Sequence, residues 1–347
     1  MKDKVYDFSL ELNWSNLKQL RQIDQFEMVW SSFQRRESSS LNQLKTLATI
    51  QSIGSSTRIE GSKLSDKQVQ TLLENIDITQ VEDRDSQEVV GYFDVLDLIT
   101  DTTNDIRVDE STIKNLHNIL LKISQKDEWH RGQYKQHSNA VQASYPDGST
   151  QIIFKTTEPG YATDDAMKSL VDWYQQKSEI TPIIKIAAFI YEFLSVHPFQ
   201  DGNGRLSRLL TTLLMIQNGY EWIQYVSFEH EIEKRKKKYY QALRNCQARR
   251  PNEDITVWIE FFITSLLNLT KKLKKKLEIT QSELTPKQKN VYIYISNNPE
   301  SKTNQIIAGT EIPRATLKRV INSLLELRLI ERNGKGAGTN YKLSSRT

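Results

Sequence analysis

The segment Thr181–Val196 (TPIIKIAAFIYEFLSV) is apolar on several faces, so it can be stable only as a helix running through an interior. A second stretch of the same kind, Arg205–Gln217, follows after a short Gly-containing link. Two apolar helices this close in sequence predict a domain built around them, with the link at the mouth of whatever they enclose. Apolar residues at three-to-four spacing elsewhere, such as Leu41, Leu44, Leu47 and Ile50, or Val89, Val90, Phe93, Leu96 and Leu98, predict amphipathic helices packed on that centre. The fold class is mainly α. One exception is Asn139–Phe154, where Pro146-Asp147-Gly148 separates two short runs suited to strands and predicts a β-hairpin.

With 347 residues, more than one compact unit is expected. The composition shifts after Phe262, through the lysine-rich KKLKKKLEI, into the polar Thr280–Glu283, which marks a boundary near 280. The net charge of +4 conceals an asymmetry: from Lys271 onward there are 16 Lys+Arg against 6 Glu, net +10, leaving 31 against 37, net −6, for the first 270 residues. A basic partner surface therefore belongs to the C-terminal part. Cys246 is the single cysteine, which excludes an internal disulfide framework and a multi-cysteine zinc site and fits a reducing cytoplasm. Met1–Leu12 lacks a continuous apolar core, and no stretch approaches the ~18 apolar residues of a membrane span, so neither secretion nor membrane insertion is expected.

The link itself reads His197-Pro198-Phe199-Gln200-Asp201-Gly202-Asn203-Gly204-Arg205-Leu206-Ser207-Arg208. Pro198 disfavours helical geometry at His197, so the first helix should stop there and present the imidazole. Gly202 and Gly204 permit positive φ, which lets backbone N–H groups converge into an anion-binding nest at the start of the next helix. Arg205 and Arg208 share a face of its first turn. Cations there oppose the macrodipole unless an anion, such as a polyphosphate, offsets them. Asp201 offers a hard oxygen beside that position, the kind of ligand Mg²⁺ takes together with phosphate oxygens. His197, with an ordinary pKa near ~6.5, is suited to take a proton from a hydroxyl.

These residues resemble the Fic motif, His-x-Phe-x-(Asp or Glu)-Gly-Asn-Gly-Arg-x-x-Arg, at every defined position. The resemblance implies a helical Fic core that transfers AMP from ATP to a protein hydroxyl on Ser, Thr or Tyr, of another protein or of the chain itself. It implies His197 as general base, Asp201 as Mg²⁺ ligand, and Gly202, Asn203 and Gly204 as the phosphate anion hole. Arg205 and Arg208 would neutralise phosphate charge, and Phe199 would anchor the loop. Gly204 favours AMP transfer, since the kinase-like Doc branch carries a bulkier residue there.

Upstream, Ser56-Thr57-Arg58-Ile59-Glu60-Gly61 resembles the family's inhibitory pattern, Ser/Thr-x-x-x-Glu-(Gly or Asn). Ser56 and Glu60 lie one helical turn apart. The resemblance implies that Glu60 pairs with Arg208 and keeps the ATP γ-phosphate from its productive position. The hairpin matches the position of the flap that holds the target segment by strand pairing. Tyr239 and Tyr240 lie where the family often has residues near adenine, Lys135 where a basic residue commonly follows Gly-x-Tyr/Phe. His117, His130, His137 and His230 show no metal-ligand spacing and are read as structural or surface residues. The match covers most of Leu41–Leu267, and more loosely Trp14–Arg36.

From Thr285 the order reads as helices over Thr285–Ser296, Thr303–Ala308 and Arg314–Leu327, then Leu329–Leu343 with a Gly-rich turn, which resembles a winged helix-turn-helix. Arg314, Lys318, Arg319, Arg332, Lys335 and Lys342 would suit DNA, although such modules also bind proteins. The expected division is an N-terminal helical extension with the inhibitory helix (1–110), a catalytic core (111–270) and the winged helix (280–347). The alternative is a DNA-binding regulator whose Fic domain is inactive or senses nucleotide. Homo-oligomerisation is left open.

Overall fold

The structure is a computed structural model that describes residues 3–34, 38–75, 81–144, 150–280, 284–334 and 336–344. The expected turn at Pro146-Asp147-Gly148, the wing residue Lys335, Arg36, and the Gln281–Glu283 part of the expected boundary lie outside the described residues. The chain divides into two compact units, 1–270 and 271–347. The helices assigned to an N-terminal extension thus share one unit with the core at 111–270.

The first unit opens with an antiparallel hairpin, β1 (Asp3–Val5) and β2 (Phe8–Leu10), held to the later chain where Ser9 N–H donates to the Glu253 carbonyl at 2.9 Å. There follow α1 (Trp14–Gln34), α2 (Ser38–Ile59), α3 (Asp66–Glu74), α4 (Arg84–Thr102) and α5 (Glu110–Leu120). Local chemistry sets several of these starts. Ser65 and Gln68 form a reciprocal capping box at α3, and the Asp83 and Asp109 carboxylates accept N–H groups at the starts of α4 and α5. β3 (Ala140–Ser144) and β4 (Thr150–Lys155) pair antiparallel, with a register shift between Val141 and Gln142. After α6 (Tyr161–Gln175) come α7 (Pro182–Val196), α8 (Asn203–Gln217), α9 (Phe228–Lys234), α10 (Lys236–Gln247) and α11 (Thr256–Thr280).

As the apolar pattern requires, α7 is the central helix: every residue from Ile186 to Val196 is buried. It packs on α6 and α8, while α2 packs on α4 and α9. Pro182 at its first position needs no N–H partner. At its other end His197 adopts the left-handed conformation, φ 53°, ψ 59°. α8 begins two residues earlier than its apolar pattern suggests, because Gly202 at φ 78° takes the N-cap position.

The second unit contains α12 (Pro286–Asn297), β5 (Ser301–Lys302), α13 (Thr303–Thr310), α14 (Arg314–Glu326), β6 (Ile330–Asn333) and β7 (Asn340–Leu343). A Thr285/Gln288 capping box starts α12. The strands form a small antiparallel sheet in the order β5-β7-β6. Val291, Ile295, Ile306, Leu317, Leu324 and Ile330 are among its core residues. The dividing point at 270/271 falls inside α11 rather than at 280. No helix among the described residues is long and apolar enough to cross a membrane.

Candidate active site

The loop between α7 and α8 is tied from below by its own residues. Asn203 bridges both sides of the Phe199 peptide: its Oδ1 accepts the Phe199 N–H at 2.9 Å and its Nδ2 donates to the Phe199 carbonyl at 2.7 Å. The Phe199 ring is fully buried and stacks on His117, centroids 3.8 Å apart and 11° from parallel. Asn203 thus acts through its side chain as a loop brace, a role the motif alone does not reveal.

His197 is half-buried, and its Nδ1 lies 3.4 Å from the Leu194 carbonyl. That contact assigns the proton to Nδ1 and leaves Nε2 as the acceptor. Burial, followed by the positive charge of Lys135, pushes the His197 pKa down to about 4, so the imidazole is neutral at neutral pH. Asp201 is held ionised against its burial by Arg205, by the Gly202 N–H and by Arg84. Its Oδ2 stands 3.3 Å from Arg84 Nη2 and 3.6 Å from Arg205 Nη2.

The two motif arginines are both nearly fully buried, but in different states. Arg205 Nη1 sits 3.4 Å from Glu88, and its Nε and Nη1 have no hydrogen-bond partner among the described residues. Buried donors left this way are costly unless an acceptor arrives. Arg208 is engaged through two of its nitrogens: Nε donates to Ser56 Oγ at 2.8 Å, and Nη2 to the Ser56 carbonyl at 3.0 Å and Glu60 Oε1 at 2.8 Å. The Glu60 carboxylate lies so close over Gly204 that a Cβ there would overlap its Oε1. The start of α8, which has no side-chain cap, is therefore faced by a carboxylate belonging to the chain itself.

Glu60, His197, Asp201, Gly202, Asn203, Gly204, Arg205 and Arg208 line one cavity of about 380 Å³, together with Tyr239, Tyr240 and Arg244. The expected site residues and both tyrosines open onto it except two: Ser56, which is buried behind Arg208, and Phe199, which is buried beneath the loop. Among the described residues no cluster of three or more His, Cys, Asp or Glu side chains could hold a metal by itself. Asp201 offers a single carboxylate, which fits a cation that completes its shell with phosphate oxygens and water.

Sequence reasoning missed the supports of the loop. His117 is fully buried; its Nδ1 accepts the Gly132 N–H at 2.9 Å, and its Nε2 lies 3.0 Å from the Asp201 carbonyl. Burial first, and then the positive charge of the nearby His130 and Arg205, push its pKa down to about 4. The buried Lys135 ammonium donates to the Val196 carbonyl, immediately before His197, at 3.0 Å and to Thr156 Oγ1 at 2.8 Å. Its backbone N–H bonds the Pro198 carbonyl at 2.8 Å, and burial lowers the Lys135 pKa to about 8. Asn139 Nδ2 reaches the Phe199 carbonyl at 2.9 Å. The legible signals were Lys135 after Gly132-Gln133-Tyr134 and the Arg84–Glu88 spacing, an i,i+4 pair on α4. His130 is buried against Asp127, His230 contacts Ser55 and Glu233, and His137 is exposed.

Residues 107–215 match the family model described as Fic/DOC family. The chain is 30% identical over 173 residues to protein adenylyltransferase fic-1 of Caenorhabditis elegans, covering 47% of this chain and 30% of that one. It is 30% identical over 102 residues to a probable protein adenylyltransferase of Aquifex aeolicus, 28% of this chain and 29% of that one. The chain thus spans about a third or less of the length of these curated relatives. In fold it is similar to a Fic family protein from Desulfovibrio desulfuricans G20, with TM-score 0.63, 21% identity, and coverage of 96% of this chain and 97% of that one. It is also similar to a Fic domain containing signaling protein from Bacteroides thetaiotaomicron, with TM-score 0.61, 24% identity, and coverage of 76% and 99%. With the motif loop capping the central helix pair and the family match spanning both helices, residues 107–215 of this chain carry a Fic/DOC family domain.

Proposed function

We propose that the chain is a protein adenylyltransferase that moves AMP from ATP to a hydroxyl of a target protein or of itself, and that Glu60 restrains it. The observation that carries this reading is Arg205: a buried guanidinium whose Nε has no hydrogen-bond partner among the described residues and whose Nη1 meets Glu88 at 3.4 Å, beside a neutral His197, in a cavity with room for a nucleotide. In the proposed reaction His197 Nε2 takes the proton of the attacking hydroxyl, the oxygen bonds to the α-phosphorus, and pyrophosphate leaves. Arg205, Arg208 and the uncapped N–H groups of α8 would carry the phosphates, with Gly202 and Gly204 allowing close approach. A Mg²⁺ ion held by Asp201 and the phosphates would supply charge neutralisation. Tyr239 and Tyr240 would flank the base, and the edge of the β3–β4 hairpin would dock the target as an added strand.

While Glu60 holds Arg208, the γ-phosphate has no guanidinium to meet and would face a carboxylate instead. Glu60→Gly should therefore raise transfer of label from α-labelled ATP to protein, on the order of ten- to a hundredfold over the wild type. If γ-labelled ATP labels protein instead, the chain is a kinase-like variant. If neither label moves in the presence of lysate targets, the regulator reading takes its place.

A second reading concerns the C-terminal unit, which we take as a winged helix-turn-helix that binds duplex DNA. Arg314, Lys318 and Arg319 lie on the exposed face of α14, which carries no acidic residue before Glu326, and Arg332 is exposed on β6. Such a helix with a basic ribbon fits a major groove and its flanking phosphates. Binding of a short duplex should weaken steeply with salt, and Arg319→Ala or Arg332→Ala should each flatten the log–log slope by about 1. An absence of duplex binding at low salt would reject it.

A further inference from the structure

Glu60 lies one residue beyond the end of α2, and its carboxylate hydrogen-bonds Arg208. Its backbone is fixed by the last turn: Glu60 N–H bonds the Thr57 carbonyl at 3.0 Å and Gly61 N–H the Arg58 carbonyl at 3.1 Å, with Gly61 at φ 114°. Whatever anchors that turn therefore decides where the carboxylate rests. Arg58 is central to the anchoring. Its Nε and Nη2 fork onto the two carboxylate oxygens of Glu233 on α9, at 2.7 and 3.1 Å. Its Nη1 pairs with Asp66 on α3 at 2.9 Å and donates to the Leu64 carbonyl at 3.0 Å. Lys236, at the start of α10, donates to the Ile59 carbonyl at 2.6 Å.

This arrangement is more than general packing. A forked arginine–carboxylate pair fixes direction as well as distance. The Arg58 and Glu233 side chains are 22% and 26% exposed, so water can enter if the pair opens, and opening need not unfold the core. Hydrogen bonds to His230 and Arg58 outweigh burial and hold Glu233 at about 2, keeping it ionised throughout the working range.

We infer that Arg58 is the positioning residue of the inhibitory carboxylate: forked on Glu233 and paired with Asp66, it locks the last turn of α2 so that Glu60 stays on Arg208 over Gly204. The inference rests on the reading of Glu60 as inhibitory and adds the element that sets its strength. Arg58 touches neither nucleotide nor target in this scheme. It acts through Glu60, and loosening α2 at Arg58 or at Glu233 releases the site.

The test measures transfer from α-labelled ATP for wild type, Arg58→Gln, Glu233→Gln, Glu60→Gly, the double variant Arg58→Gln/Glu60→Gly, and the exchange Arg58→Glu/Glu233→Arg. Arg58→Gln and Glu233→Gln should each raise transfer on the order of tenfold. Added to Glu60→Gly, Arg58→Gln should give no further increase, because the carboxylate it positions is gone. The exchange should return transfer toward the wild-type level. A fold defect would instead lower transfer in both backgrounds, and that result overturns the inference, as does wild-type transfer by both single variants while Glu60→Gly is activated. If Glu60→Gly itself is not activated, the inhibitory reading fails and the lock fails with it. Glu233→Gln leaves Arg58 paired with Asp66, so it remains informative should Arg58→Gln not fold.

Discussion

His197→Ala, placed in the Glu60→Gly background, should lower the proposed AMP transfer by about 10²–10⁴-fold, the range a positioned general base contributes. The side chain is half-buried and its hydrogen bond to the Leu194 carbonyl is a long one, 3.4 Å, so thermal stability should change little. The same base predicts a pH signature. With the pKa pushed down to about 4, the imidazole is in its proton-accepting form above that pH and loses the form below it. The acidic limb of kcat/KM for Glu60→Gly should therefore lie near pH 4 rather than near ~6.5, the value of an unperturbed imidazole. Retained transfer in His197→Ala, or an acidic limb near 6.5, would remove the assignment of His197 as the base. Lys135 contributes to this shift, since its charge sits beneath the residue preceding His197 and disfavours a second cation.

Phe199→Ala is the substitution with the largest expected effect on stability, about 3–5 kcal/mol for a fully buried phenylalanine. The ring does two things. It fills the core between His117, Tyr134 and Phe193, and it is the surface on which the His117 imidazole lies flat. Losing it loosens His117, and with it the carbonyl of Asp201 that His117 holds. Chemical denaturation should show the loss of stability. Transfer by Phe199→Ala in the Glu60→Gly background should fall further than the folded fraction accounts for. Phe199→Leu keeps most of the volume and should recover most of the stability but less of the transfer, because a leucine offers no flat face. If the two substitutions affect transfer only in proportion to folded protein, Phe199 is a core residue and not a loop anchor.

The parts of this protein that sequence alone determined are those fixed by neighbours along the chain. An all-apolar run forces α7 to the centre, a His-Pro pair ends it, and Gly202 allows the turn into α8, because sterics and hydrophobic periodicity act within a few residues. The paired Ser56 and Glu60 are legible for the same reason. What only the tertiary structure decided are contacts between residues far apart in the chain: Arg58 with Glu233, 175 positions away, His117 with Asp201, 84 away, and Lys135 with Val196, 61 away. No periodicity marks them, since each depends on how helices cross and which buried donor lacks a partner. Local sequence wrote the His197–Arg208 loop and the turn that carries Glu60; the packing of α2, α5, α9 and the Gly132–Lys135 segment around them decided how rigidly each is held, because buried charges and ring nitrogens are satisfied only by groups that the fold brings to them.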